Sequence, residues 1–416
     1  MPQSQTVLVL HFGGPYAAHV ARLIRTERVF CEVLPCNAAL ETIRARQPVG
    51  LVLAGEDFDR YPCDPGVFSL GVPILRVSSP SDCDALSDFL FARCECRADW
   101  NMDMFIRDAV ADIERQVGDG RVLLGLSGGV DSAVTAALIH RAIGNRLDCV
   151  FVDHGLMRKG EPEEVRQVFT RTFDVHLVAV DASDRFLDKL AGVEDPERKR
   201  KIIGAEFIDV FSAEAEKLGR LDYLAQGTIY PDIIESGSAP GEGVIKSHHN
   251  VGGLPERIQF KGLVEPLRML FKDEVRQVGL ALGLPESMVR RQPFPGPGLG
   301  VRVTGAITRE KVHIEREADA IFRQELERAG LAEDISQYFT VLTGARSVGV
   351  RDGKRAYDNV VCLRAVHTTD FMTASWARLP YEVVARVSQR IAAEVPHVSR
   401  VVLDVTDKPP AAIEWE

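Results

Sequence analysis

The chain has 416 residues, a net charge of −10, 45% apolar and 26% charged residues. That length predicts two or three domains with ample core. The acid excess argues against a general polyanion-binding surface, so no nucleic acid is expected, and no stretch approaches the roughly 18 consecutive apolar residues of a membrane span.

In chain order, residues 6–77 alternate strand and helix patterns. TVLVLHF, VFCEVLP, PVGLVLAG and GVPILRV read as strands, with PYAAHVARLIRTE and AALETIRAR as helices between them. This predicts a small parallel α/β layer spanning 1–88. The polar SSPSDCDALSDF reads as a linker or short helix. A second α/β unit, 100–300, begins with the helix MFIRDAVADIERQVG. It continues through the strand RVLLGL, a helix to about Ile143, the strand DCVFVDHG, the helix EPEEVRQVFTRTF, and the strands VHLVAVDA and YLAQGTIYPD. A doubly wound parallel sheet is expected, with its polar turns along the carboxyl edge where ligands bind. ESGSAPGEGVIKSHHNVGGLP is rich in Gly, Ser and Pro and reads as a candidate lid. The pattern changes over 301–416. A long helix, KVHIEREADAIFRQELERAG, precedes strand-like YFTVLT, SVGVRDG and YDNVVCLRAV, the helix PYEVVARVSQRIAAEV and a last strand, VSRVVLDVTD. An α+β domain is expected there.

MPQSQTVLVLHFGG lacks the basic-then-apolar pattern of a secretory signal, so a cytoplasmic setting is expected. The eight cysteines show no paired CxxC spacing and read as reduced structural thiols. CEC at Cys94–Cys96 has no second ligand pair of the kind a metal site needs.

The chemistry concentrates after the strand RVLLGL. A strand passing through Ser127, Gly128 and Gly129 into a helix starting at Val130 exposes a row of free backbone N–H groups. Glycines allow close approach of an anion, and the helix N-terminus adds partial positive charge. No Gly-Lys-Ser/Thr follows, so this is not a Walker loop. Ser127 and Ser132 can donate to phosphate oxygens. Asp131 would repel them unless a divalent cation lies between, which implies Mg²⁺ with Asp131 as its protein ligand. The reading is therefore a pyrophosphate cradle made of Ser127, Gly128, Gly129, Val130, Asp131 and Ser132.

LSGGVDS resembles the pyrophosphate-binding loop of the N-type ATP pyrophosphatases, which cleave ATP between its α and β phosphates and adenylate a substrate oxygen. Among them, FVDHGLMRKGE, GVEDPERKRKIIGAEF, LAQGTIYPDIIES, IKSHHNVGGLPE, EPLRMLFKDEVR, RQPFPGPGLGVRV and KPPAAIEWE resemble the GMP synthase family in order and spacing. The likeness runs from about Phe89 to Glu416. It implies ATP and Mg²⁺ as cofactors, xanthosine monophosphate (XMP) and ammonia as substrates, and a homodimer built by the C-terminal domain. It further implies catalytic roles for Lys246, Ser247, His248, His249, Asp232 and Glu235. By the same resemblance, XMP contacts are expected at Arg302, Gln337, Lys408, Ile413 and Glu414, and Asp153, ending the strand beside the loop, is expected to line the adenosine site.

The N-terminal unit resembles the start of a class I glutamine amidotransferase of flavodoxin-like fold, but the match fails at GVPILRVSSPSDCD. No G-x-C-x-G elbow follows, and the only histidines before residue 100 are His11 and His19. Cys83 is the nearest stand-in, flanked by Asp82 and Asp84 rather than glycines. A truncated remnant without glutaminase activity is expected, covering a face of the synthetase or docking a partner, with ammonia free or supplied by a separate glutaminase. A paralogue acting on another purine nucleotide, a regulatory pseudoenzyme and an NAD synthetase-like enzyme are the alternatives. The retained Asp131, Lys246 and histidines, together with the KPPAAIEWE terminus, weigh against them.

Overall fold

The computed structural model describes residues 5–236, 260–351, 353–368 and 371–416. The first unit is built from β1 (Thr6–His11), α1 (Tyr16–Thr26), β2 (Phe30–Pro35), α2 (Leu40–Ala45), β3 (Gly50–Ala54) and β4 (Ile74–Val77). Its strands pair in the order β2-β1-β3-β4, all parallel, which is the flavodoxin-like arrangement. Alternation divides the sheet's side chains between two cores. Val7, Val9, Val52 and Ala54 face α1, while Leu8, Leu10, Leu51 and Leu53 face a smaller cluster with Phe12, Ile43 and Val67. After β4 the chain is helical, through a 3₁₀ segment (Pro80–Ala85), α3 (Leu86–Asp88) and a wide turn at Phe89–Arg93. The short-helix reading of this stretch therefore holds.

The second unit runs α4 (Met102–Val117), β5 (Val122–Leu126), α5 (Val130–Ile143), β6 (Leu147–Asp153), α6 (Glu161–Gln167), β7 (His176–Asp181), α7 (Ser183–Leu190), α8 (Pro196–Lys217), β8 (Tyr223–Ala225), α9 (Tyr230–Ser236), β9 (Gly262–Val264), α10 (Lys272–Ala281) and α11 (Glu286–Val289). Its parallel sheet has the order β7-β6-β5-β8-β9. Succession reverses between β5 and β8, so the crevice beyond their carboxyl ends is the topological switch point. YLAQGTIYPD is a strand only over three residues; its second half opens α9.

In the third unit, α12 (Arg309–Arg328) packs on a sheet of β10 (Gln337–Arg351), β11 (Lys354–His367), β12 (Ser375–Trp376) and β13 (Val398–Leu403), with α13 (Tyr381–Glu394) beside α12. β10 and β11 are antiparallel, and β13 runs parallel to β11. YFTVLT and SVGVRDG are one strand rather than two. The register shifts between Leu342 and Arg346, where Gly344 takes a φ of +68°, so a bulge bends β10 without ending it. The second and third units share one core, in which Leu123, Val150, Phe186 and Phe211 meet Val312, Phe322, Val361 and Val387. No helix among the described residues is long and apolar enough to cross a membrane.

The first unit is joined to the second through buried charge. Arg25 of α1 donates to both carboxylate oxygens of Glu274 in α10, at 3.0 and 3.2 Å, and also to the Cys31 and Met269 carbonyls. Its guanidinium lies over the Phe30 and Trp100 rings, and the Trp100 indole N–H donates to Glu274 at 2.6 Å. Tyr230, the first residue of α9, accepts from the Val33 N–H of β2 and packs with Phe271 among the first unit's residues.

Candidate active site

Residues 127–132, the candidate phosphate loop, lie at the carboxyl end of β5 on the switch point. Gly128 has a φ of +79°, which disfavours any other residue, and a Cβ there would also press on the flexible end of Met157 at 2.9 Å. Gly129 caps α5 in extended geometry and, being glycine, brings no side chain to the first helical turn. Helix-start N–H groups of this kind suit an anion. The Ser127 and Ser132 hydroxyls are 3.1 Å apart; the Ser132 hydroxyl also accepts from the Ser127 N–H and donates to the Gly129 carbonyl. This clasp fixes the turn. On the other side of the crevice, a Cβ on Gly227 would lie 3.1 Å from the Asp131 backbone, so the exit of β8 presses against the loop.

Asp131 is held by Lys272, the first residue of α10, whose ammonium donates to both carboxylate oxygens at 2.8 and 2.6 Å. Arg291 donates to the Gly128 carbonyl at 2.8 Å and also to Glu164. Reading the sequence gave neither Lys272 nor Arg291 a role. The only local signal was their place in LFKDEVR and RQPFPGPG, because both reach the loop from more than 140 residues away.

A run of buried charges leads away from this loop. Arg291 and Arg158 both lie 3.5 Å from Glu161, and Arg158 lies 3.9 Å from Asp319. Asp319 is bonded to Arg323 at 2.8 Å and lies 3.9 Å from Arg302. Phe294 separates Arg158 from Arg302, with guanidinium-to-ring distances of 4.3 and 5.1 Å. Arg302, fully buried, stacks at 4.0 Å on Phe339 and donates twice to Glu414, at 3.1 and 2.9 Å. Burial and the neighbouring Asp319 carboxylate push the Glu315 carboxyl well above the usual range, although Thr340 donates to it. Desolvation lowers Arg158 to about 10 against the pull of Asp319 and Glu161.

Among the remaining residues singled out from sequence, Gln337 is buried beside this cluster and donates to the Pro293 carbonyl at 3.4 Å. Lys408 donates to the Phe371 carbonyl at 2.6 Å. Ile413 packs with Phe339, Val341 and Cys362, which anchors the tail but gives its side chain no polar work. Asp153 lies on β6 next to β5, yet its side chain opens on a cavity of about 470 Å³ lined also by Arg158, Ser183, Arg309 and Arg316, and by none of residues 127–132. Burial raises its pKa, with the Gly155 N–H opposing. His154 next to it accepts from the Leu156 N–H through Nδ1, and burial drops its pKa to about 4, so it is neutral. Asp232 accepts from the Ile229 N–H at the start of its own helix. The Glu235 side chain, Lys246, Ser247, His248 and His249 lie outside the described residues.

The edge of the first sheet differs. Beyond β4, Asp82 accepts from the N–H groups of Ser78 and Ser79 and from the Ser78 hydroxyl, closing the turn where a nucleophile would sit. Cys83 is half-buried, and burial with the Asp82 and Asp84 charges raises its pKa, the reverse of an activated thiol.

A family model described as GMP synthase C terminal domain matches residues 324–415, and one described as NAD synthase matches 101–184. A GMP synthase [glutamine-hydrolyzing] of Acetivibrio thermocellus is 46% identical over 510 aligned positions, covering 99% of this chain and 100% of that protein. Proteins of the same name from Ruminiclostridium cellulolyticum and Finegoldia magna are 44% and 45% identical, covering 99% of this chain and 100% and 99% of their own length. Alignments of 510 positions exceed this chain's 416 residues, in keeping with the amidotransferase layer that stops at four strands and the closed turn after β4. From the phosphate loop to the tail that meets Arg302, the chain belongs to the GMP synthase family, and it lacks the glutaminase part.

Proposed function

We propose that the chain aminates XMP to GMP in two steps, with ammonia as nitrogen donor. The C2 oxygen of XMP attacks the α-phosphorus of ATP, forming adenyl-XMP and expelling pyrophosphate. Ammonia then adds at C2 and AMP leaves, with one proton lost, giving GMP. The observation that carries this reading is the buried charged run joining a glycine-capped phosphate loop to the Arg302–Glu414 pair. It ties one anion site to a second polar site that family resemblance assigns to XMP.

In this reading the loop N–H groups with Ser127 and Ser132 take the departing pyrophosphate, where their dipoles are aimed before charge develops. Lys272 and Arg291 add positive charge beside it. Asp131 fits Mg²⁺, which is usually held by one or two carboxylates together with substrate phosphates. Its carboxylate already needs a cation beside the loop, a part Lys272 now plays. When bound, the metal would neutralise the phosphate oxygens. Arg302, Gln337, Lys408 and Glu414 hold XMP, Ile413 seats the tail, and Asp153 lines the nucleoside side. Lys246 neutralises the α-phosphate, His248 and His249 serve catalysis, and Asp232 and Glu235 either help hold Mg²⁺ or take the proton from ammonia. The domains are 1–88, 100–300 and 301–416. Val348, Val350 and Tyr357, exposed on the β10–β11 hairpin, support a homodimer through the third unit. The eight free thiols suit a cytoplasmic setting.

The test is GMP formation from XMP, ATP and Mg²⁺, with ammonium chloride in one reaction and glutamine in another. Product is expected with ammonium and none with glutamine. Product with glutamine would mean the remnant is a glutaminase, and product in neither would overturn the reading.

A further inference from the structure

Lys199, in the first turn of α8, is fully buried, a rare state for lysine unless its charge is paired. Its ammonium donates to the Val303 carbonyl at 2.8 Å, to the Gly300 carbonyl at 3.4 Å, and to the Glu416 carboxylate. The two carbonyls flank Arg302. Glu416 is held again by the Gly305 N–H at 3.0 Å, and its own carbonyl accepts from Arg200. The last three residues of the tail point in alternate directions. Glu414 and Glu416 turn inward to Arg302 and Lys199, while Trp415 turns away and donates to Asp404 at 3.0 Å. One ammonium therefore grips both the backbone around Arg302 and the tail that brings Glu414 to it.

We infer that Lys199 and Glu416 are a positioning pair for the purine-nucleotide subsite, setting the register between Arg302 and Glu414 without touching substrate. The inference rests on the proposed reading of Arg302 and Glu414 as the XMP site. Glutamine at 416 keeps the shape and the bond from Gly305 but loses the charge. Methionine at 199 keeps the length of the stem and drops all three bonds.

Initial rates of ammonia-dependent GMP formation test the pair, with XMP and ATP varied separately and folding checked by circular dichroism. Lys199→Met is expected to raise the KM for XMP by at least about tenfold, with the KM for ATP within about twofold of the parent, because each tenfold in affinity is a small part of a buried ion pair's worth. Glu416→Gln should raise the KM for XMP about threefold to fivefold, the smaller step expected when a charge-assisted bond becomes a neutral one. The double variant should match Lys199→Met rather than multiply with Glu416→Gln, as expected for two residues acting as one unit. A folded Lys199→Met chain with an unchanged KM for XMP, or with equal rises for XMP and ATP, would overturn the inference. If Lys199→Met does not fold, Glu416→Gln decides on the same criterion. Arg302→Ala serves as the control. Should it leave the KM for XMP unchanged, the assignment of the subsite fails, rather than the pairing that positions it.

Discussion

The first and second units are both parallel sheets with helices crossing over them, and both have their polar turns at the carboxyl edge. After β5 that edge carries a helix start capped by glycine, a second glycine before it, and a carboxylate paired with Lys272. After β4 it carries a turn whose N–H groups Asp82 has already satisfied, beside a thiol held protonated by burial and two aspartates. What distinguishes the two edges is whether a side chain already closes the turn, as Asp82 does after β4.

Three substitutions test that contrast, in descending order of effect. Asp131→Ala, at the edge after β5, should lower the rate of pyrophosphate release on the order of 10²–10³-fold, the range for losing a group that organises transition-state charge. Thermal unfolding should barely move, since the ion pair it breaks is partly exposed and worth at most about 1 kcal/mol. Retained pyrophosphate release would refute the loop assignment. Arg25→Ala strikes the join between the two sheets. It should cost about 3 kcal/mol by urea titration, the low end for a broken buried pair, because Trp100 and the Phe271 N–H still hold Glu274. A loss under about 1 kcal/mol would show that the first unit is only loosely applied. Cys83→Ala, at the edge after β4, should leave ammonia-dependent synthesis unchanged and stability within about 0.5 kcal/mol, the usual size for a substitution outside special features. Any glutamine-dependent activity that disappeared with it would reverse the reading of that edge.

The strand–turn–helix form at 127–132 was legible because its signal lies in six consecutive residues and Gly128 takes a φ of +79°. The sheets were legible from short apolar runs. The partners of Asp131 were not, since Lys272 arrives from another helix. Nor was the Arg302–Glu414 contact legible from pattern alone; resemblance named both residues, while their mutual bidentate bond joins positions 112 apart in sequence. Helix α8 escaped notice because its inner face includes Lys199 and Glu206, so charge interrupts the apolar stripe that periodicity relies on. β10 was read as two strands because a bulge resembles a turn when only sequence is seen.

The two sides of the first sheet face different evolutionary futures. Val7, Val9 and Val52 share a core with Tyr230 and Phe271 of the synthetase, so a change there disturbs the helix that opens with Tyr230. Leu8, Leu10 and Leu51, their immediate neighbours in the same strands, cluster among the described residues with residues of the remnant itself. With no glutamine chemistry left to preserve, selection on that outer side reduces to keeping four strands upright. Any apolar side chain of similar volume serves there, so within a single strand alternate residues are free to drift at different speeds.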